Sequence, residues 1–264
     1  MNADIRQKLS DKHGLLWELP DGIHMTATAE ELARPDTASR FLELYAGLLP
    51  STSIQPSATY FCSWARSLTS AVHWLLASRG GCLSVAPQDW TVVLAKPGAY
   101  ASISFMPSSA TLVTVERDGS AIDPQTVMDR LYGELIAPIF RTFADVSGVR
   151  QNDLWRLMAT NLNYTKATLL ADSPAENEFM SLESDFRYVL TEMPGEKVGL
   201  DRNPLAIPMR YVDNPYKPGE QSMMRASCCL AYMTDFAKYC YTCPRLKSSE
   251  RDKMIQEIRE MQKV

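Results

Sequence analysis

The chain has 264 residues, of which 45% are hydrophobic and 22% charged, with a formal net charge of −4. That length suits one large domain or two small ones with a substantial core, and the composition is that of an ordinary globular protein. The mild acidity argues against a nucleic-acid binder, which normally carries a basic excess. The opening residues 1–8 are polar and charged, without the apolar core of a secretory signal. No run approaches eighteen apolar residues, so no membrane span is expected. A cytoplasmic location is expected, with peripheral attachment to an inner membrane left open.

In chain order, residues 3–12 read as a short helix ending near Gly14. Asp36 is a candidate cap for a helix over 37–49, where Phe41, Leu44, Tyr45 and Leu48 recur at helical spacing and Pro50 stops the run. A long helix is expected over 58–78, with Phe61, Trp64, Ala65, Leu68, Val72, Leu75 and Leu76 as its apolar stripe and Gly80-Gly81 as its end. Cys62 and Cys82 read as lone buried thiols and His73 as a hydrogen-bonded structural residue. The period then changes. Segments 90–94, 101–105 and 111–115 are short and β-branched, and Pro/Gly/Ser turns part them, so they read as an antiparallel meander. Helices return over 124–144, 152–170 and 174–191, with Asp123 and Ser173 as candidate caps. Residues 193–219 are rich in Pro, Gly and Asn and read as a long irregular loop. The tail 248–264 reads as a charged helix docking through Met254, Ile255, Ile258 and Met261.

Four of the six cysteines fall within sixteen residues, as Cys228, Cys229, Cys240 and Cys243 in the pattern C-C-x10-C-x2-C. In a reducing compartment, clustered thiols point to metal or redox chemistry before disulfides. Cys240 and Cys243 have the spacing of a zinc knuckle. The adjacent pair Cys228-Cys229 does not, because neighbouring side chains diverge. Two irons a few ångströms apart suit diverging thiolates better than one tetrahedral ion, so spacing favours a 2Fe–2S cluster and leaves structural zinc open.

The run Arg225-Ala226-Ser227-Cys228-Cys229, ten residues, then Cys240-Tyr241-Thr242-Cys243 resembles the FhuF-type ferric-siderophore reductases. The similarity extends more weakly to Asn203-Pro204-Leu205 and to the helix-like 154–164, while 208–219 looks like an insertion. Taken in order, the elements make an α+β fold, predominantly helical, with a small antiparallel β-meander in the middle and a C-terminal iron–sulfur segment. A body, 1–192, is expected to shape the siderophore site, and 193–264, with the Pro-rich loop, the cysteine segment and the last helix, to pack on it as one unit. The resemblance implies that the four cysteines ligate a 2Fe–2S cluster, and that the substrate is a hydroxamate-type ferric siderophore.

Reduction of such a chelate needs no acid–base residue, and His13, His24 and His73 are too scattered to form a metal triad. No G-x-G-x-x-G follows a strand and no Walker sequence occurs, so electrons are expected from an external donor, a ferredoxin-like protein or a reductase. Candidate substrate contacts are Trp64, Trp155, Arg210, Arg225 and Lys238. For Arg225 and Lys238 the competing reading is charge balance for the cluster, and for the tryptophans it is core packing. Tyr232, Phe236, Tyr239 and Tyr241 would shield the cysteines from water. The remaining alternatives are a non-enzymatic binding module with structural zinc, and a 2Fe–2S electron carrier or sensor.

Overall fold

The computed structural model describes residues 1–116, 122–173, 175–235 and 238–262. Helix α1 (Ala3–His13) starts where the Asn2 side chain accepts from the Ile5 N–H, and it stops at Gly14, whose left-handed φ of 69° ends the turn. Strand β1 (Ile23–Thr28) runs into α2 (Ala29–Leu32) through a capping box between Thr28 and Glu31. Helix α3 (Pro35–Leu48) begins one residue before the expected cap, because Pro35 takes the first helical position and Asp36 falls within the first turn. Helix α4 (Gln55–Arg79) likewise takes Pro56 into its first turn. It is followed by β2 (Gly81–Cys82), β3 (Trp90–Ala95), β4 (Ser102–Pro107) and β5 (Val113–Thr114).

The expected meander is half right. Strands β3 and β4 pair antiparallel, but the third strand of their sheet is β1, in the order β1-β3-β4. Only two residues of 111–115 form a strand, and β5 pairs with β2 instead. Strand β1 was missed because Ile23-His24-Met25-Thr26-Ala27-Thr28 lacks a continuous β-branched run and gains its order from the register with β3.

The expected helix 124–144 is α5 (Pro124–Arg130), a π-helical segment Leu131–Ile136 and α6 (Ala137–Ser147). Helix α7 (Gln151–Ala171) matches its expected extent closely. Helix α8 (Glu176–Arg187) continues into a second π segment, Tyr188–Glu192. Pro174, the expected start of that helix, lies outside the described residues. Ser173 does not cap it, and its hydroxyl turns back to the Leu169 carbonyl (2.8 Å).

Helix α4 is the axle. It packs against α1, α3, α6, α7, α8, β2 and β4. Phe61 sits among Phe41, Phe105, Phe140 and Phe143, its ring centroid 5.0 Å from that of Phe143. Each fully buried ring of this kind contributes about 1.5–3 kcal/mol through area removed from water. His73 is enclosed, stacked on Phe186 (4.2 Å) and hydrogen-bonded to the Tyr132 hydroxyl (2.9 Å). Burial pushes its pKa down to about 3, so it stays neutral. Cys62 and Cys82 are buried single thiols, and burial raises both, Cys82 to about 11.

From α8 the chain turns through Gly195–Val198, where Lys197 meets Asp129 (2.7 Å) and the Tyr188 hydroxyl donates to the same carboxylate (2.6 Å). The loop 193–219 is therefore less irregular than its composition suggests. It also contains β6 (Tyr211–Asp213), which pairs with β7 (Gln221–Met223). Helix α9 (Ser248–Met261) follows the cysteine segment.

A Cβ at Gly133, in the first π segment, would collide with the Lys197 carbonyl. Gly133→Ala is expected to cost about 1–3 kcal/mol, by overpacking against backbone that cannot give way. Thermal melting checks it, and an unchanged Tm would refute the close approach.

Candidate iron–sulfur centre

The segment that carries the cysteines is tied down on three sides, on two of them by partners far away in sequence. On α7, the Tyr164 hydroxyl donates to the Met223 carbonyl (3.1 Å), Thr160 Oγ1 accepts from the Ala226 N–H (2.9 Å), and Asp153 accepts from the Ser227 hydroxyl (2.8 Å). On α4, the buried Thr59 hydroxyl donates to the Cys229 carbonyl (2.7 Å). Ahead of α4, the Ser51 hydroxyl donates to the Met233 carbonyl (3.2 Å) and the Asp235 N–H to the Pro50 carbonyl (3.1 Å).

Helix α9 closes the third side. Its Arg251, 8% exposed, donates to the carbonyls of Tyr241, Cys243 and Leu246, each at 2.9 Å. A guanidinium forked over three carbonyls holds the Cys240–Cys243 turn in one shape.

These ties bring the four thiols together. Cys243 Sγ lies 3.5 Å from Cys228 Sγ, and Cys240 is hydrogen-bonded to both Cys229 and Cys243. Among the described residues no three His, Cys, Asp or Glu side chains are grouped to hold a single metal ion; the sulfurs form a string, Cys228–Cys243–Cys240–Cys229. Along it the donors and acceptors alternate. Hydrogen bonds from Cys243 bring Cys228 down to about 6, and those from Cys229 and Cys243 bring Cys240 lower still. Cys229 and Cys243, as donors, are pushed up. Three of the four are nearly enclosed, and Cys240 alone is half-buried.

Backbone N–H groups also point at the sulfurs. The Leu230 N–H donates to Cys228 Sγ (3.4 Å), and those of Ala231 and Arg245 reach Cys229 and Cys243. Leu230 adopts a left-handed φ of 60°, which turns successive amides inward at a cost of about 1–2 kcal/mol for a residue with a Cβ. The Arg225 guanidinium lies beside Cys229, Cys240 and Tyr60. Burial opposes its charge, but the neighbouring sulfurs outweigh burial and raise its pKa. Burial and the Cys229 sulfur likewise raise the Tyr60 phenol, which hydrogen-bonds to Thr234.

Soft donors, inward amides and a half-buried cation fit an anionic iron–sulfur centre, whose sulfurs are normally hydrogen-bonded and whose charge needs balance. The four cysteines are the residues that could hold it.

The expected substrate contacts do not assemble around this centre. Trp155 is fully buried, edge-on to Phe140 at 4.8 Å, out of reach of any ligand. Trp64 hydrogen-bonds to the Tyr45 hydroxyl (2.8 Å) and borders a polar cleft of about 290 Å³ with Lys12, Arg66 and Ser67. Arg210 and Lys238 are exposed, and Arg225 faces the sulfurs. Tyr232 and Tyr239 pair near the centre (4.8 Å), Tyr241 bonds to Ser222 (3.0 Å), and Phe236 lies outside the described residues. Sequence reasoning missed Thr59, Tyr60, Asp153, Thr160 and Arg251. None left a signal that sets it apart, since Thr59 and Tyr60 are two of many polar side chains along α4.

Replacing Arg251 with Leu strands three carbonyls, at an expected cost on the order of 2–3 kcal/mol. A lower melting temperature, together with faster reaction of the cysteines with a thiol reagent, checks it; wild-type thiol reactivity would count against the clamp. Asp153 yields a pH dependence. Burial works against its carboxylate, but hydrogen bonds from Arg150 and Ser227 outweigh that and lower its pKa. A depressed folded pKa means the stabilisation is present above the unfolded value, about 3.9, and is lost as pH falls through the folded one. Docking of 226–229 should therefore weaken below about pH 4, and Asp153→Asn should remove that acid-sensitive component from a pH series of melts.

Residues 225–245 match the family model of the FhuF 2Fe-2S C-terminal domain. No curated protein matches the chain. The matched domain is a 2Fe–2S-binding domain, and the match spans the half-buried Arg225, the inward amides and all four clustered thiols. Over its cysteine segment, therefore, the chain is similar to the FhuF 2Fe-2S C-terminal domain, which supports a 2Fe–2S cofactor there.

Proposed function

We propose that the protein is a cytoplasmic ferric-siderophore reductase, in which Cys228, Cys229, Cys240 and Cys243 hold a 2Fe–2S cluster. The observation that carries the reading is the site itself. Four thiols converge with amides and a half-buried Arg225 to support anionic sulfur, and of the four thiols only Cys240 reaches towards solvent. A bound cluster supplies one electron at a time. The substrate is Fe(III) held by hard oxygen donors, a hydroxamate-type chelate by the family resemblance. Gain of one electron gives Fe(II), which the same donors bind far less well, so the metal leaves without any bond to the ligand being cut.

The chain's own residues do three things in this scheme. Arg225 stabilises added negative charge from a fixed, water-poor position. Tyr60 and Tyr232, both half-buried, limit solvent at the sulfurs. Arg251, Thr59 and Thr160 fix the segment, so that little has to reorganise when charge changes. No general acid or base is required.

The test is protein purified without oxygen. Visible charge-transfer absorption, with iron and acid-labile sulfide in equal amounts, is expected. After reduction, a ferric hydroxamate chelate should reoxidise the protein while Fe(II) appears in a ferrous trap. Cys240→Ser and Cys229→Ala should each bleach the spectrum and abolish turnover. Zinc without sulfide, or full cluster content in both variants, sinks the assignment; a cluster that no ferric chelate reoxidises leaves an electron carrier.

A further inference from the structure

The chain is acidic as a whole, yet basic where its sulfurs come nearest to solvent. Residues 225–247 contain Arg225, Lys238, Arg245 and Lys247 against the single acid Asp235, a formal +3. The remainder of the −4 chain therefore carries −7. Arg225 is turned inward to the sulfurs, whereas Lys238, Arg245 and Lys247 are exposed.

Aromatic rings lie beside Arg245. The exposed Tyr239 ring packs 4.8 Å from Tyr232. The Arg245 guanidinium sits 5.9 Å from the Tyr232 centroid and donates to its hydroxyl (3.0 Å). Tyrosine and arginine are the side chains enriched where proteins meet, and charge complementarity governs how fast they meet. Concave sites lie elsewhere. The clefts of about 660 Å³ at Asn152, Arg156 and Arg202 and of about 290 Å³ at Trp64 are lined by none of these residues.

We propose that the face formed by Tyr232, Tyr239 and Arg245, extended by Lys238 and Lys247, is the docking surface of an acidic electron-donor protein. The proposal rests on the redox reading above. The transfer is a single electron from the reduced donor to this chain; the donor is oxidised by one, and no proton or bond moves. Electron-transfer encounters use small interfaces, below about 1,200 Å², steered by opposite charge. A basic patch on a protein whose other residues carry net negative charge orients such a partner.

Anaerobic stopped-flow kinetics tests this with two reductants, a reduced acidic plant-type ferredoxin and the small cation reduced methyl viologen. With wild type, the ferredoxin rate should fall steeply as salt rises. In the double variant Lys238→Glu/Lys247→Glu the ratio of ferredoxin to viologen rates should fall about tenfold, with a smaller fall for the Gln/Gln pair and for Arg245→Gln. Equal ratios in wild type and all variants overturn the proposal. So does an intact ferredoxin rate accompanied by slower reoxidation by an anionic ferric chelate, which would give the face to the chelate. A wild type that viologen cannot reduce sinks the redox reading itself, and is thereby told apart from failure of the docking face alone.

Discussion

A guanidinium and four sulfurs share one partly dried pocket edge and answer one another there. Burial works against the charge of the half-buried Arg225, and the Cys229 and Cys240 sulfurs beside it outweigh that. The sulfurs in turn receive the inward amides of Leu230, Ala231 and Arg245. Cation, amides and sulfurs are thus held in one geometry. Much of the surrounding structure serves to keep that geometry from relaxing.

The means is a pair of long helices used as a wall. Helices α4 and α7 pack along each other, and each spends polar side chains on backbone atoms of the cysteine segment. Asn161 of α7 also donates to the Cys62 carbonyl of α4 (2.8 Å), which ties the two helices together next to the segment they hold. These bonds join parts of the chain 66 to 170 residues apart. A site with so few local contacts can be placed only after the body has folded.

The helical body was legible in the sequence because its period is local. α4 and α7 were readable from Phe61, Leu68 and Leu75 and from Leu154 and Leu157, with Gly80 closing the first. Strand β1 was not, since its order comes from pairing with β3 across some sixty residues. The π segments were equally hidden, because a single extra residue in a helical turn leaves no mark on the apolar pattern. At the site, the cysteine spacing announced the chemistry, but nothing in a charged tail marks Arg251 as a residue aimed inward. Trp155 taught the converse: an aromatic on a helix was read as a possible contact and proved to be core.

The Arg251 clamp also decides which substitutions its turn can bear. Its three acceptors are carbonyls and not side chains, so a change of side chain at Tyr241 or Leu246 leaves them in place, whereas a change at Arg251 removes their shared donor. Tolerance to mutation is thus expected to be unequal across the clamp, wide among the residues that accept and narrow at the one that gives.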